Sequence, residues 1–143
     1  MTEELSATAS ELRFALFRLT RLLRRVRAVD AMSDAHLAAL GALRAHGRRT
    51  ISGLAEHERV TAPTMSATVN GLAELGLVVR VPDLDDRRRV YVEITEQGEK
   101  IVAATIRRRD EVLADMITEV DLDPHELAVL REAAAVLRKV AGA

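Results

Sequence analysis

The sequence predicts a mostly α-helical fold that carries one small β-hairpin, an α+β class. Long stretches at both ends repeat apolar residues at helical spacing, as amphipathic helices do. Between them, two β-branched runs enclose a charged turn, which is the pattern of a hairpin. Of the 143 residues, 48% are hydrophobic but only 2% are aromatic, so Leu, Val and Ala should form the core. The length suits a single domain.

Two helices are expected before residue 50. Leucines recur at spacings of three, four and seven between arginines from Leu5 to Val26, which predicts the first helix. Ser33 is a suitable N-cap for the second helix, and Gly47 stands where a glycine commonly ends one. These two helices precede the part of the chain that has the densest turn signals.

Two further helices, separated by a tight turn, are expected over residues 52–58 and 61–75. Thr61 is the predicted N-cap of the second one, and Pro63 is tolerated in its first turn. Gly76 should stop it, and the β-runs on either side of residues 83–89 then form the hairpin.

Two amphipathic helices should complete the chain. Thr95 opens the first, which is expected to reach about Val120. The sequence Asp-Pro-His-Glu at residues 123–126 is an acidic capping box that begins the second. Both terminal regions have more apolar surface than the small middle part can cover, which predicts pairing with a second copy.

The composition excludes several kinds of site. There is no cysteine, and the four histidines show no His-x-x-x-His pair, so no metal site is predicted. No nucleophile–base pair, phosphate-binding glycine loop or cofactor motif is found, so the sequence predicts neither an enzyme nor a cofactor. Two phenylalanines and one tyrosine are too few for an RNA-stacking platform. Without a membrane span or a secretion signal, the protein is expected in the cytoplasm.

The helix expected over residues 61–75 has an unusual outer face. From residue 61 to 72 it contains no charged residue. Opposite its apolar stripe lie small polar and apolar residues: Pro63, Thr64, Ala67 and Asn70, with Ser66 on the flank. A pair of packed core helices would explain the helical pattern alone. The neutral face instead favours a helix-turn-helix in a DNA major groove, where Ser, Thr and Asn bond base edges and Ala contacts a thymine methyl.

The hairpin turn concentrates opposite charges, in the sequence VPDLDDRRRVYVEIT at residues 81–95. One interpretation is a solvated turn whose charges neutralise one another. The other is a wing (residues 81–92) that inserts an arginine into the minor groove, where an acid two residues earlier holds the guanidinium. Arg48 and Arg49 precede the helix-turn-helix and could contact phosphate or simply decorate the surface.

Helix-turn-helix and charged hairpin together resemble the MarR-type (multiple antibiotic resistance regulator) family of bacterial transcription factors, over nearly the whole chain. Family members show Asp-Pro-x-Asp-x-Arg, a short apolar run and Leu-Thr-x-x-Gly. The corresponding segments here are Asp83-Leu84-Asp85-Asp86-Arg87-Arg88, Val90-Tyr91-Val92 and Ile94-Thr95-Glu96-Gln97-Gly98.

The resemblance implies roles for individual residues in binding duplex DNA. Arg88, with Arg87 beside it, corresponds to the minor-groove arginine of the wing, and Asp86 corresponds to its orienting partner. The positions that read the major groove are Pro63, Thr64, Ser66 and Ala67. Two departures stand out. Leu84 replaces the usual proline, and Ala67 replaces a residue that is basic in many relatives, so base readout should depend on Thr64, Ser66 and Asn70.

The resemblance also implies an assembly. Residues 33–95 would form a winged helix-turn-helix lobe, and residues 1–30 and 96–143 would hold a homodimer on a pseudo-palindromic operator. The expected function is a repressor that responds to a small aromatic effector near Phe14, Phe17 and Arg21, although these could be ordinary core or surface residues. A winged-helix module that binds only proteins is the alternative. The operator, the regulated genes and the effector stay open.

Overall fold

A computed structural model describes residues 1–28 and 32–142 of the chain. The helices are α1 (Glu3–Arg24), α2 (Asp34–His46), α3 (Ile51–Glu58), α4 (Ala62–Glu74), α5 (Glu96–Val120) and α6 (Pro124–Ala141). The strands are β1 (Arg49–Thr50), β2 (Val78–Pro82) and β3 (Val90–Ile94). The predicted mostly helical fold with a β-hairpin is therefore confirmed. Among the described helices, none is long and apolar enough to cross a membrane.

The chain forms two compact units, which divide within α5. The first comprises Met1–Arg109, and the second begins at Asp110. The predicted boundary between a first dimerisation segment and the winged lobe falls at residues 30–33, and residues 29–31 lie outside the described part of the chain.

The helix starts predicted at Ser33, Thr61 and Asp123 are confirmed by their caps. The Oγ of Ser33 accepts a hydrogen bond from the backbone N–H of His36, and Nδ1 of His36 accepts one from Ser33, both at 3.2 Å. The Oγ1 of Thr61 accepts from the N–H of Thr64 at 3.2 Å. Asp123 and Glu126 form the expected reciprocal box at the start of α6. These bonds satisfy backbone donors that have no partner inside the helix.

The core of the first unit lies between α2, α3, α4 and the sheet. Leu40 of α2, Leu54 of α3 and Val69 of α4 are fully buried. The sheet contributes Val92 from β3, which is equally inaccessible. The stripe predicted for the fourth helix, Met65, Val69 and Leu72, is buried as expected.

The sheet has three strands rather than the two of the predicted hairpin. Its order is β1-β3-β2, all antiparallel, with β3 in the centre. In β1, Arg49 pairs with Val92 and Thr50 pairs with Tyr91. Two residues are too few to show the alternating pattern that identifies a strand in sequence. Thr50 also caps α3 by accepting from the N–H of Gly53 at 3.0 Å, so β1 ties the helix-turn-helix to the hairpin.

Candidate nucleic-acid interface

The residues predicted to read the major groove share the outer surface of α4. Pro63, Thr64, Ala67 and Asn70 are exposed, and Ser66 is half-buried at the edge of this surface. They lie opposite the buried Met65, Val69 and Leu72 because a helix places residues three and four apart on one face. The structure thus brings these five residues together on an uncharged surface, whereas their DNA contacts stay a prediction.

The N-terminal turn of α4 directs one hydroxyl outward. The hydroxyl of Thr61 donates to Oγ1 of Thr64 at 2.8 Å. Because Thr64 accepts this bond, its own hydroxyl proton is available to a further acceptor. Such a donor at a helix N-terminus suits a phosphate or a base oxygen.

Sequence reasoning missed Arg80 of β2, which borders the outer face of α4. A guanidinium N–H of Arg80 donates to Oδ1 of Asn70, and both side chains are exposed. Paired reading of adenine by Asn70 uses that same oxygen as an acceptor, so Arg80 would share it with the base or give up the contact. The signal was present in the sequence: Arg80 lies two residues after the buried Val78, and alternation along a strand puts it on the side that faces α4.

The wing tip is folded by its acidic side chains. Oδ1 of Asp83 accepts from the N–H of Asp85, and Oδ1 of Asp86 accepts from the N–H of Arg88, both at 3.0 Å. Two backbone bonds of 2.9 Å, from Asp83 N to Arg89 O and from Arg89 N to Asp86 O, close the turn. The acids are therefore used largely as local backbone acceptors, a common role of Asp in turns.

Arg88 is the arginine that the sequence predicted to enter the minor groove, with Asp86 as its partner. Its side chain is 96% exposed, and its Nε lies 3.8 Å from Oδ1 of Asp86. The structure thus brings the predicted partners together, but a pair this long and solvated contributes little free energy by itself. Arg87 is also exposed. Leu84 is 99% exposed and so does not brace the turn as a buried side chain would.

The two arginines that precede the helix-turn-helix differ in their surroundings. The guanidinium carbon of Arg48 lies 4.5 Å from the ring centroid of Tyr91, and Nη1 is 3.7 Å from Oε1 of Glu93. Arg49 is half-buried in β1. Whether Arg49 contacts phosphate stays a prediction. The guanidinium of Arg48, by contrast, already contacts Tyr91 and Glu93 of the hairpin.

The residues named for an effector pocket are only partly brought together. Phe17 and Arg21 line an open cleft of about 450 Å³ beside α1, whereas Phe14 does not. A second cleft of about 260 Å³ has Arg24 and Arg109 over an apolar floor that includes Val102. Within the described residues, no group of three or more His, Asp or Glu side chains is arranged to hold a metal ion.

Comparisons with known proteins agree with this geometry. The MarR family profile matches residues 32–89. An HTH-type transcriptional regulator of Mycobacterium bovis is 36% identical over 137 residues, which are 96% of this chain and 94% of that protein.

Solved structures share the fold over essentially the whole length. A MarR family protein of Bacillus stearothermophilus has a TM-score of 0.84 at 23% identity and covers 100% of this chain and 99% of its own. A Mycobacterium tuberculosis protein reaches 0.88 at 22% identity, with coverages of 99% and 97%. Members of the matching family regulate transcription rather than catalyse reactions, bind DNA as dimers, and in some cases bind small molecules. The chain therefore belongs to the MarR family and is a DNA-binding transcriptional regulator with a winged helix-turn-helix.

Proposed function

We propose that this chain is a ligand-responsive repressor that binds its operator as a homodimer. In each copy, α4 lies in the major groove and the wing lies in the adjacent minor groove. The observation that carries the proposal is the pairing of a neutral, exposed α4 face with one almost fully exposed guanidinium at the wing tip.

The composition of α4 supports close contact with bases. Side chains as short as Ala67 and Ser66 let the helix approach the groove floor, and Thr64 offers a hydroxyl proton to an acceptor. Arg80 adds a positive charge at the edge of this face, next to Asn70. Bases would thus be read by neutral groups, while Arg80 and Arg49 contact the phosphates beside them.

The wing supports a minor-groove contact because its charge extends away from the core. A guanidinium 96% exposed loses few protein contacts when it enters a groove. A narrow minor groove concentrates negative potential, which attracts arginine without reading a base in detail. Asp86 accepts from the backbone N–H of Arg88 at 3.0 Å and so fixes the main chain from which this guanidinium extends.

Dimerisation is supported by apolar surface on the terminal helices. In α1, Leu5, Phe14 and Phe17 are all more than half exposed. In α6, Val136 and Val140 are as well. Apolar faces of this kind on helices indicate a partner, and a second copy related by a two-fold axis would cover both. We assign residues 1–30 and 96–143 to this interface and residues 33–95 to the DNA-binding lobe.

The clefts of the first unit support an anionic aromatic effector. Phe17 offers a ring face, and Arg21 offers a cation within the same cleft. An arginine fork matches a carboxylate, while apolar walls match an aromatic ring. An effector bound beside α1 would change the spacing of the two lobes of a dimer, and with it the affinity for the operator.

The wild-type protein first selects a duplex from a random pool. The affinity of each variant for that duplex is then measured at several salt concentrations. Arg88→Ala should weaken binding by about 1–3 kcal/mol per copy, and it should make the fall of log K with log salt shallower by about 0.9 per copy, because each copy of the dimer loses one contact. Arg44→Ala is the control, because Arg44 is an exposed arginine of α2 whose guanidinium is paired with Glu99 at 3.2 Å. If Arg88→Ala binds like the wild type, the wing has no role in DNA binding. If no duplex is selected at all, a protein-interaction module is the better account.

A further inference from the structure

Tyr91, the only tyrosine of the chain, lies outside the hydrophobic core. It stands on β3 beside the fully buried Val92, so strand alternation points its ring away from the core. One face of the ring is covered by the guanidinium of Arg48, 4.5 Å from the ring centroid. An arginine stacked on an aromatic face gains cation–π attraction as well as contact area.

Arg48 is attached to the helix-turn-helix rather than to the hairpin. It lies between the end of α2 at His46 and the start of β1 at Arg49. Its Nη1 also approaches Oε1 of Glu93 at 3.7 Å. Glu93 is two residues after Tyr91 and so lies on the same side of β3. One side chain from the helical part therefore spans the outer side of the central strand.

The phenol of Tyr91 reaches the turn of the wing. Its hydroxyl donates to Oδ2 of Asp83 at 3.5 Å, while Oδ1 of Asp83 accepts from the N–H of Asp85 at 3.0 Å. The backbone N–H of Asp83 donates to the carbonyl of Arg89 at 2.9 Å. The pKa of Arg89 is raised above its ordinary value, first by the Tyr91 side chain and then by the charge of Asp86.

At Tyr91 the sheet changes from three strands to two. Tyr91 is the last residue of β3 toward the tip that pairs with β1, through Thr50. Beyond it, β2 and β3 pair at one further position only, Pro82 with Val90, before the turn. Two-stranded hairpins are marginally stable in water, so the direction of the wing tip relative to α4 depends on contacts outside the backbone ladder.

We infer that Arg48, Tyr91 and Asp83 form a brace that holds the wing turn against the helix-turn-helix and so positions Arg88. The inference rests on the proposed role of Arg88 in DNA binding. It assigns Arg48 and Tyr91 as positioning residues that act through the wing, and it removes Arg48 from the candidates for a direct phosphate contact.

The test is a double-mutant cycle of Tyr91→Phe and Arg88→Ala on the same selected duplex. Tyr91→Phe keeps the ring and its stacking but deletes the donor to Asp83. Because 3.5 Å is long for a bond between two oxygens, we expect the low end of the range for one hydrogen bond in each copy, which raises the Kd of the dimer about three- to tenfold. In the Arg88→Ala background the same change should raise Kd less than about twofold, because the side chain that it positions is gone.

Three outcomes of this cycle distinguish a failure of the inferred brace from a failure of the proposed DNA contact of Arg88. Equal losses in both backgrounds would show that Tyr91 acts independently of Arg88, and the inference would fail while the DNA-binding proposal stands. Wild-type affinity of Tyr91→Phe would overturn the inference too. If Arg88→Ala binds DNA with wild-type affinity, the proposed wing contact is wrong, and the brace inferred from it is wrong as well.

A second pair of variants isolates Arg48. Arg48→Lys keeps the charge but loses the planar guanidinium over the ring, so we expect it to weaken binding about as much as Arg48→Ala. Neither variant should lower the salt slope further once Arg88 is alanine. If Arg48→Lys binds like the wild type while Arg48→Ala makes the salt dependence shallower by about 0.9 per copy, Arg48 is a phosphate contact and not part of the brace.

Discussion

Gly98 lies where α5 begins at the foot of the wing, and replacing it with alanine should destabilise the fold. A Cβ at this position would lie 2.3 Å from the carbonyl oxygen of Leu77 and 2.8 Å from Cγ1 of Ile94. Ordinary contacts begin near 3.4 Å, so the backbone would have to move by about 1 Å. The carbonyl of Leu77 also accepts from the N–H of Thr95 at 3.0 Å, and this bond would be strained by the movement.

The expected cost of Gly98→Ala follows from two opposing effects. Forcing a methyl group into a packed site costs about 1–3 kcal/mol, and the upper end applies because the neighbouring atom is backbone. The better helix propensity of alanine returns up to about 1 kcal/mol. A net loss of about 2 kcal/mol should lower Tm by roughly 4–8 °C for a chain of this length.

The assay for Gly98→Ala is thermal unfolding followed by circular dichroism. All variants are compared at one protein concentration, because the Tm of a dimer depends on concentration. Gly41→Ala in α2 is the matched control, since a Cβ there meets nothing within 4 Å. Its Tm should stay level or rise slightly. A Tm of Gly98→Ala equal to that of the wild type would refute the steric reasoning.

Two further substitutions test the candidate interface by DNA binding. Asp86→Ala removes the acceptor that holds the N–H of Arg88 at 3.0 Å, so we expect Kd to rise about three- to tenfold. A model that counts only charge predicts tighter binding instead, and the sign of the change therefore decides between them. Arg80→Ala removes the cation at the edge of α4 in each copy and should make the salt dependence shallower by about 0.9 per copy. An unchanged slope would mean that Arg80 serves only to hold Asn70.

Local signals in the sequence were sufficient for most of the fold. Ser33, Thr61 and Asp123 cap the helices that they were predicted to cap, because capping depends on residues three positions apart. The exposed face of α4 followed from the same helical geometry. Each of these features is decided within one turn of helix, where a single sequence is informative.

What the sequence did not reveal depends on contacts between distant residues. Strand β1 has only two residues, and its identity comes from pairing with β3 some forty positions later. The neighbours of Arg48 and Arg80 are likewise supplied by other elements, β3 and α4 respectively. An arginine offers no local mark of whether it will stack on a ring, hold an amide or contact phosphate, because its long side chain permits all three.

The charged wing explains how a chain with a net charge of −1 is suited to bind DNA. Two of the three acids at the tip, Asp83 and Asp86, bind backbone N–H groups of the turn. The negative charge of these two carboxylates therefore faces backbone N–H groups of the turn, whereas the side chain of Arg88 extends into solvent. Binding free energy then depends on where a few guanidinium groups point rather than on the total charge. It follows that a substitution which improves the charge count but loosens the turn should weaken DNA binding.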